Sequence, residues 1–339
     1  MSILRPVRFL RRNGIILIGD CMNDVIKYDA VINVLPQDYE RTEALHNRLA
    51  KYLPVNNIYV LGPEELLDII DRDSNDRFIW LDENEVVLFD DVYNVVQKHM
   101  EQANPNARVS KRSVGWYYQQ ILKYEYYRFS ENQYYLTWDG DTVPCKNFSM
   151  FATDGETPYF DMKNEYNPDY FETIAKLLPG YGKCVEQSFV SEHMLFNVDI
   201  VKSLIKEIEK NDSLEGDTWW EKMIYSIEPE KYMKGVFAEF ETYGCYVARN
   251  KPSDYKLRTW NSFRYAGYFL DPNDIKQRDW DWLSRDFHAL SFEKEHEVRE
   301  DYKNIFNNPR YQEKLTARQV LEIVQEEMES GGYVEKWDD

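Results

Sequence analysis

Two aspartates one residue apart are the strongest candidates for chemistry in this sequence. Asp139 and Asp141 lie in the run Trp138–Thr142, directly after the aromatic, β-favouring residues 134–138. Two carboxylates at this spacing can offer oxygen ligands to a hard divalent cation, and the glycine between them permits close approach of a ligand. Because Asp-Gly is also a common turn, a turn with two solvated acids is the alternative. A position after a buried strand favours the cation site.

The elements that place this acidic pair alternate between strands and helices. Strands are predicted at residues 28–35, 57–61, 78–81 and 134–138. Helices are predicted between and around them at residues 38–51, 64–70, 89–100 and 114–128, the last capped by Ser113. The alternation predicts an α/β fold with a mostly parallel central sheet flanked by helices. Ligands of such sheets lie outside the carboxyl ends of the strands, which is where Asp139 and Asp141 fall.

The second half of the chain has a more mixed pattern. A strand is predicted at residues 245–248, and the chain is mainly helical from residue 271 onward, with a terminal amphipathic helix at 315–328. No repeat or low-complexity linker divides it. The predicted organisation is therefore a basic N-terminal arm (1–27), a catalytic domain (28–270) and a helical C-terminal extension (271–339).

Composition excludes several classes of protein. Apolar residues make up 43% of the chain, which is too many for a disordered protein, and no apolar run reaches the length of a membrane helix. The net charge of −19 argues against a nucleic-acid partner because most of the surface would repel phosphates. The four cysteines show no C-x-x-C pair, so reduced thiols are expected rather than a zinc ribbon or a disulfide framework.

The N-terminus carries a local excess of positive charge. Arg5, Arg8, Arg11 and Arg12 lie within the first twelve residues. A basic, partly apolar arm of this kind can bind the surface of an anionic membrane, and a solvated arm is the alternative. The arm lacks the apolar stretch and cleavage site of a secretory signal. We therefore expect a cytoplasmic protein, with a peripheral contact to the inner face of the membrane as a further expectation.

Five segments in a fixed order resemble one class of enzyme. They are Tyr28–Tyr39, Gly115–Lys123, Tyr135–Thr142, Ser188–Asn197 and Glu239–Gly244. Together they resemble nucleotide-sugar glycosyltransferases of the GT-A fold, in particular bacterial polysaccharide glycosyltransferase-like families with a DxD motif. The resemblance covers residues 28–250. Trp138 departs from it, because an aliphatic residue usually precedes the DxD; the position adjoins the expected sugar pocket.

The resemblance implies transfer of a sugar from a nucleoside diphosphate donor, with UDP expected, to a glycan or lipid-linked glycan in bacterial surface polysaccharide synthesis. Mn²⁺ or Mg²⁺ would bridge the diphosphate and stabilise the charge that develops on this leaving group. Asp141 would ligate the metal, and Asp139 would contact the ribose or a metal-bound water. Such folds often add a histidine from the C-terminal half, for which His288 is the candidate, with a surface or packed histidine as the alternative.

A catalytic base is needed if the transfer inverts the anomeric centre, whereas a retaining enzyme needs none of that kind. Glu239 and Glu241 are the candidates and Glu192 is the reserve. The spacing of the first two places them on one face if the segment is a strand, and it does not choose between them. His193 is assigned to the acceptor or donor-sugar pocket, with a packed histidine at a helix start as the alternative.

The remaining candidates would contact the donor. Arg112 and Lys123 are expected at the diphosphate, Arg112 slightly ahead, with solvated charge as the alternative. Asn33, Pro36 and Asp82 follow or end predicted strands, where the nucleotide base would lie.

Other classes of function share these features. A nucleotidyltransferase or a phosphohydrolase also places paired carboxylates on a divalent cation. A catalytically inactive sugar-binding scaffold of the same fold is a third hypothesis. The chain has no P-loop, dinucleotide-binding glycine fingerprint or nucleophile elbow, which disfavours the enzymes built on those motifs.

Overall fold

The computed structural model of the chain describes residues 28–70 and 76–330. The four N-terminal arginines and Cys21 lie outside these residues. The strands are β1 Tyr28–Asn33, β2 Ile58–Gly62, β3 Phe78–Asp82, β4 Tyr134–Trp138, β5 Thr142–Pro144, β6 Tyr159–Met162, β7 His193–Asn197, β8 Lys256–Thr259, β9 Ser262–Phe263 and β10 Ala289–Ser291.

The α-helices are α1 Pro36–Arg41, α2 His46–Tyr52, α3 Glu65–Ile70, α4 Glu83–Val86, α5 Phe89–Ala103, α6 Lys111–Glu125, α7 Pro168–Leu177, α8 Val198–Glu209, α9 Trp219–Ser226, α10 Glu239–Asn250, α11 Gln277–Leu283, α12 Glu300–Phe306, α13 Pro309–Lys314 and α14 Ala317–Ser330. Short 3₁₀ turns occur at Glu43–Leu45, Tyr126–Arg128, Pro229–Lys234 and Ala266–Tyr268. Within the described ranges, no helix combines the length and apolar character needed to cross a bilayer.

The central sheet has the strand order β3-β2-β1-β4-β7. The first four strands pair in parallel, and β7 joins β4 antiparallel. Its inner strands are nearly continuous apolar runs because helices cover both faces of a parallel sheet. The prediction of an α/β fold with a mostly parallel sheet is confirmed.

The strand register brings several sequence-predicted residues to one edge of this sheet, which we call the carboxyl edge. Gly62 at the end of β2 pairs with Asp82 at the end of β3. Asn33 ends the neighbouring β1, and Trp138 ends β4 opposite His193, the first residue of the antiparallel β7. The acidic run beginning at Asp139 therefore starts at the carboxyl edge, where open α/β sheets place their ligands.

The chain forms two compact units. The first comprises residues 28–36, 54–139 and 150–259 and contains the central sheet and the β6-β8 pair. The second comprises Gln37–Leu53, Gly140–Ser149 and the residues from Trp260 onward, with the three-stranded sheet β5-β10-β9. Each unit has its own apolar core. The second unit thus joins two earlier segments to the residues from Trp260 onward. The predicted domain organisation, with its boundary at residue 270, stays a prediction.

Several predicted elements change in detail. The strand predicted at residues 245–248 is wrong, because these residues belong to α10. The helix predicted at 38–51 is divided into α1 and α2. Helix α6 begins three residues earlier than predicted, and its cap is Ser110, whose hydroxyl accepts the amide N–H of Ser113 at 3.1 Å. The helical C-terminus is confirmed.

Candidate functional site

A buried lysine joins two carboxylates at the carboxyl edge. Nζ of Lys123 lies 2.8 Å from Oδ1 of Asp139 and 2.6 Å from Oε1 of Glu239. The ring of Phe240 lies 4.5 Å from the same nitrogen. Burial alone lowers the pKa of Lys123, but the two carboxylates raise it above its usual value. Lys123 therefore stays charged and fixes one oxygen of Asp139.

Helix α6 supplies this lysine and also holds the first turn of α10. The side-chain oxygen of Gln120 accepts the amide N–H of Glu239, and the hydroxyl of Tyr124 donates to the carbonyl of Glu239. Lys123 and Tyr124 follow Gln120 by three and four residues, so both lie on its side of α6. These contacts of α6 hold α10 in place at the site.

Glu239 and Glu241 lie in a helix, not in a strand, so the expectation that they share one face is corrected. Residues two apart in a helix point about 200° apart around its axis. Glu239 reaches Lys123, whereas Glu241 accepts hydrogen bonds from the Ser188 hydroxyl at 2.5 Å and the Phe189 amide at 3.0 Å. Burial raises the pKa of both glutamates, and their hydrogen-bond partners offset part of that increase. The structure therefore links only Glu239 of this pair to Asp139.

The backbone of Asp139 is held by Glu192. The amide N–H of Asp139 donates to the Glu192 carbonyl at 2.9 Å, and the Glu192 carboxylate forms an ion pair with Lys163. Glu192 has a φ of +63°, in the left-handed region that non-glycine residues rarely occupy. Such a conformation persists where the surroundings determine it, and it often marks a functional site.

His193 is fully buried behind the end of β4 and begins a strand rather than a helix. Its Nδ1 lies 2.8 Å from the Ser191 carbonyl oxygen and its Nε2 lies 2.9 Å from Oδ2 of Asp161. Its ring packs against Trp138 with centroids 4.8 Å apart. Trp138 is also fully buried. In this structure both side chains support the strand end and present no surface to a donor.

Asp161 and Arg258 complete this support, and sequence reasoning missed both. The guanidinium of Arg258 makes a bidentate pair with Asp161, at 2.6 and 2.7 Å. Burial raises the pKa of Asp161, but hydrogen bonds from Arg258 and His193 outweigh it, so the pKa falls below its usual value. The two residues meet because β6 pairs with β8, and no local spacing in the sequence indicates that pairing.

The two other predicted metal ligands lie in the second unit. The Asp141 carbonyl accepts the Phe292 amide at 2.8 Å, and its Oδ1 accepts the Thr142 hydroxyl at 3.2 Å. His288 stacks on Trp260 with centroids 4.6 Å apart, and its Nδ1 accepts the Asn261 amide at 3.3 Å.

No group of three or more His, Cys, Asp or Glu side chains is arranged to hold a metal ion among the described residues. The set of Asp139, Asp141 and His288 stays a prediction. The two aspartates alone fit Mg²⁺ or Mn²⁺ in chemical type. Mg²⁺ is commonly bound by one or two carboxylates and by the phosphates of its substrate.

Asn33, one of the residues predicted to contact the nucleotide-sugar donor, has a side-chain amide without hydrogen bonds to the described residues. Both Nδ2 and Oδ1 of its side chain are buried without a hydrogen-bond partner at the end of β1. Buried polar atoms are nearly always paired, so this amide has the capacity to bond a ligand that approaches the carboxyl edge. The neighbouring Pro36 begins α1.

The other residues predicted to contact the nucleotide-sugar donor lie at different places on α4 and α6. Asp82 caps α4, since its Oδ1 accepts the Asn84 amide at 2.9 Å. Arg112 is exposed in the first turn of α6, whereas Lys123 is near its end. Eleven residues of helix separate the two by about 16 Å along the axis. The structure thus places Lys123 beside Asp139, and the expectation that Arg112 contacts the donor ahead of Lys123 stays a prediction.

Glu83 is a further acid at the carboxyl edge that was not predicted as a site residue. Burial raises its pKa to about 7, and the carboxylates of Asp82 and Glu65 contribute to the increase. The sequence feature that could have identified it is the adjacent acidic pair Asp82-Glu83 at the end of β3. A carboxyl group that titrates near neutrality is typical of functional sites.

Four of the tryptophans are core residues. Trp219, Trp260, Trp280 and Trp282 are each at least 95% buried. They therefore offer no exposed ring face to a sugar.

Comparisons with known proteins give a family and several similar structures. The model of DUF6492, described as a family of unknown function, matches residues 28–294. An active-site mutant of LgtC is 11% identical, with a TM-score of 0.39, over 88% of this chain and 95% of that chain. Galactosyltransferase LgtC in complex with donor and acceptor sugar analogues gives 11% identity, a TM-score of 0.37 and the same coverage.

Mouse xyloside xylosyltransferase 1 in its apo form is also 11% identical, with a TM-score of 0.37, over 80% of this chain and 99% of that chain. No curated protein matches the sequence.

Proposed function

The chain belongs to DUF6492, a family of unknown function, and we propose that it is a metal-dependent glycosyltransferase with a GT-A-like fold. It moves a sugar from a nucleoside diphosphate donor, a UDP-sugar, to a glycan or lipid-linked glycan acceptor. The product is a bacterial surface polysaccharide.

One observation carries the proposal. Asp139 follows β4 at the carboxyl edge, and it is fixed there by the Lys123 side chain and by the Glu192 carbonyl. Its side chain is still 37% exposed. A carboxylate held in place but open to solvent is pre-organised to meet a ligand, and the unpaired amide of Asn33 lies on the adjacent strand.

Asp139 and Asp141 would hold the metal ion, with His288 as the proposed third ligand. When bound, Mn²⁺ or Mg²⁺ would stabilise the negative charge on the departing diphosphate. The chain's own contribution is to hold Asp139. Lys123 keeps one of its oxygens in place, and Glu192 fixes its backbone.

Among the candidate bases we rank Glu239 first, because Lys123 connects it to Asp139. Its pKa is raised by burial, which moves a carboxylate toward the value that suits a base near neutral pH. Glu192 and Glu241 remain the alternatives. Both are engaged elsewhere, with Lys163 and with the Ser188 hydroxyl.

A ligand-binding experiment tests the metal site. We expect UDP with Mn²⁺ to raise the melting temperature of the wild type, and we expect Asp141→Ala to lose the Mn²⁺-dependent part of that shift. Asp199→Asn is the matched control, because its side chain is 85% exposed on α8 and its loss removes the same charge. Equal shifts in Asp141→Ala and wild type would overturn the proposed metal site.

An activity assay separates the competing functions. A glycosyltransferase should release UDP slowly from at least one of a panel of UDP-sugars, even with water as acceptor, and the rate should depend on Asp141. Release of inorganic phosphate would favour a phosphohydrolase, and release of pyrophosphate from nucleoside triphosphate and sugar phosphate would favour a nucleotidyltransferase. If UDP binds but every UDP-sugar stays intact, the result favours a catalytically inactive sugar-binding scaffold.

A further inference from the structure

Two cysteines far apart in the sequence meet in the first unit. Cys184 lies in the loop between α7 and β7, and Cys245 lies in the middle of α10. Each thiol shifts the pKa of the other, so the two side chains are neighbours. Both line one cavity of about 430 Å³, together with the cations Lys183 and Arg249.

The two thiols differ in the way that a redox pair requires. Cys184 is exposed, whereas Cys245 is buried. The neighbouring Cys245 thiol is the main cause that lowers the pKa of Cys184; burial and the charge of Glu241 oppose it, and the charge of Lys183 adds to it. The Cys184 thiol and burial raise the pKa of Cys245. An accessible thiolate beside a second, protonated thiol is the usual arrangement of a peroxide-sensitive pair.

We propose that Cys184 and Cys245 form a reversible disulfide when the protein meets hydrogen peroxide. The Cys184 thiolate attacks one peroxide oxygen, the O–O bond breaks, and hydroxide leaves, giving a sulfenic acid. The Cys245 sulfur then attacks the Cys184 sulfur, the S–O bond breaks, and water leaves with the proton of the second thiol. Two thiols are oxidised to one disulfide, and one peroxide is reduced to two waters.

The disulfide would tie together two segments that are already joined by Glu241. Glu241 is one turn before Cys245 on α10, and its carboxylate binds the Ser188 hydroxyl and the Phe189 amide in the loop that carries Cys184. The thiol of Cys245 also lies 3.8 Å from the same carboxylate. This loop continues to Glu192, so the bond would add a covalent constraint close to the backbone that holds Asp139. The proposal itself needs no glycosyltransferase activity.

The test is thiol counting on the full chain. After treatment with hydrogen peroxide, denaturation and maleimide labelling, we expect the number of labelled thiols to fall from four to two. Dithiothreitol should restore all four. A non-reducing peptide map should show the Cys184 peptide linked to the Cys245 peptide and lighter by two hydrogens. Four thiols after treatment, or a different linked pair, would overturn the proposal.

Single substitutions supply the controls. Cys145→Ser should still lose two thiols, because Cys145 is buried and burial raises its pKa to about 12. Cys184→Ser should lose none. Cys245→Ser should instead accumulate a sulfenic acid at Cys184 that dimedone traps. Loss of two thiols in Cys184→Ser, or a dimedone adduct confined to another cysteine, would contradict the assigned roles.

Discussion

Replacing Lys123 by methionine tests whether this lysine organises the candidate site. Lys123→Met keeps most of the apolar stem and removes the charge. It leaves Glu239 buried with its carboxylate uncompensated, since the lysine is its only described ion-pair partner. The Asp139 carboxylate also loses its partner but keeps its contact with water.

The expected decrease in the free energy of unfolding follows from how exposed the three side chains are. Lys123 is 6% exposed and Glu239 is 7% exposed, whereas Asp139 is 37% exposed. Breaking a buried pair by removing one partner costs about 3–5 kcal/mol, because the remaining charge is stranded. A pair open to solvent contributes about 0.2–1 kcal/mol. We therefore expect Lys123→Met to lower the free energy of unfolding by about 3–5 kcal/mol and Asp139→Asn to lower it by about 1 kcal/mol or less.

Urea unfolding followed by circular dichroism measures both variants, with the slope m checked for constancy. The double variant Lys123→Met, Glu239→Gln removes the stranded carboxylate and should be more stable than Lys123→Met alone. A loss of stability in Lys123→Met no greater than that in Asp139→Asn would contradict the organising role of Lys123. A double variant less stable than Lys123→Met would contradict it as well.

Two further predictions concern Glu83 and the helical glycines. The pKa of Glu83 is raised from 4.5 to about 7, so the stability from its neutral form is complete below pH 4.5 and is lost as the pH rises through about 7. Glu83→Gln should therefore stabilise the protein by about 1–3 kcal/mol at about pH 8.5, after a discount for solvent screening, and the gain should disappear at about pH 4 in urea titrations. Gly244→Ala should cost about 1–3 kcal/mol, because the new Cβ would lie 2.3 Å from the ring of Phe189. The matched Gly115→Ala on α6 should gain about 0.5–1 kcal/mol, since nothing lies within 4 Å of its Cβ; melting curves that show the same sign for both would contradict this.

Local patterns were sufficient to predict most of the central sheet. The β-branched run that begins at Tyr28 and the aromatic run 134–138 became β1 and β4 within two residues of their predicted ends. These strands are buried on both faces, so their apolar character is continuous and the turn residues that follow mark their ends. The place of Asp139 at the carboxyl edge followed from the same patterns.

The segment around Glu239 and Glu241 shows where local patterns fail. The placement of both glutamates on one face depended on the segment being a strand, and a strand was predicted at residues 245–248. The whole segment is instead a helix that is buried on all sides of its first turns. A helix buried all round loses the 3.6-residue period by which it would be recognised. The ion pair between Lys123 and Glu239 spans 116 positions in the chain and left no spacing to find.

The division of the chain into two units has a consequence for its synthesis. The second unit takes residues 37–53 and 140–149 from the early part of the chain, and Leu45 and Val143 share a core with Phe306. Strand β5 pairs with β10, so its partner leaves the ribosome only after most of the protein has been made. During translation these early segments are exposed before the segments they pack against have been made, so they are candidates for chaperone binding. A polypeptide that ended at residue 270 would keep them in that state.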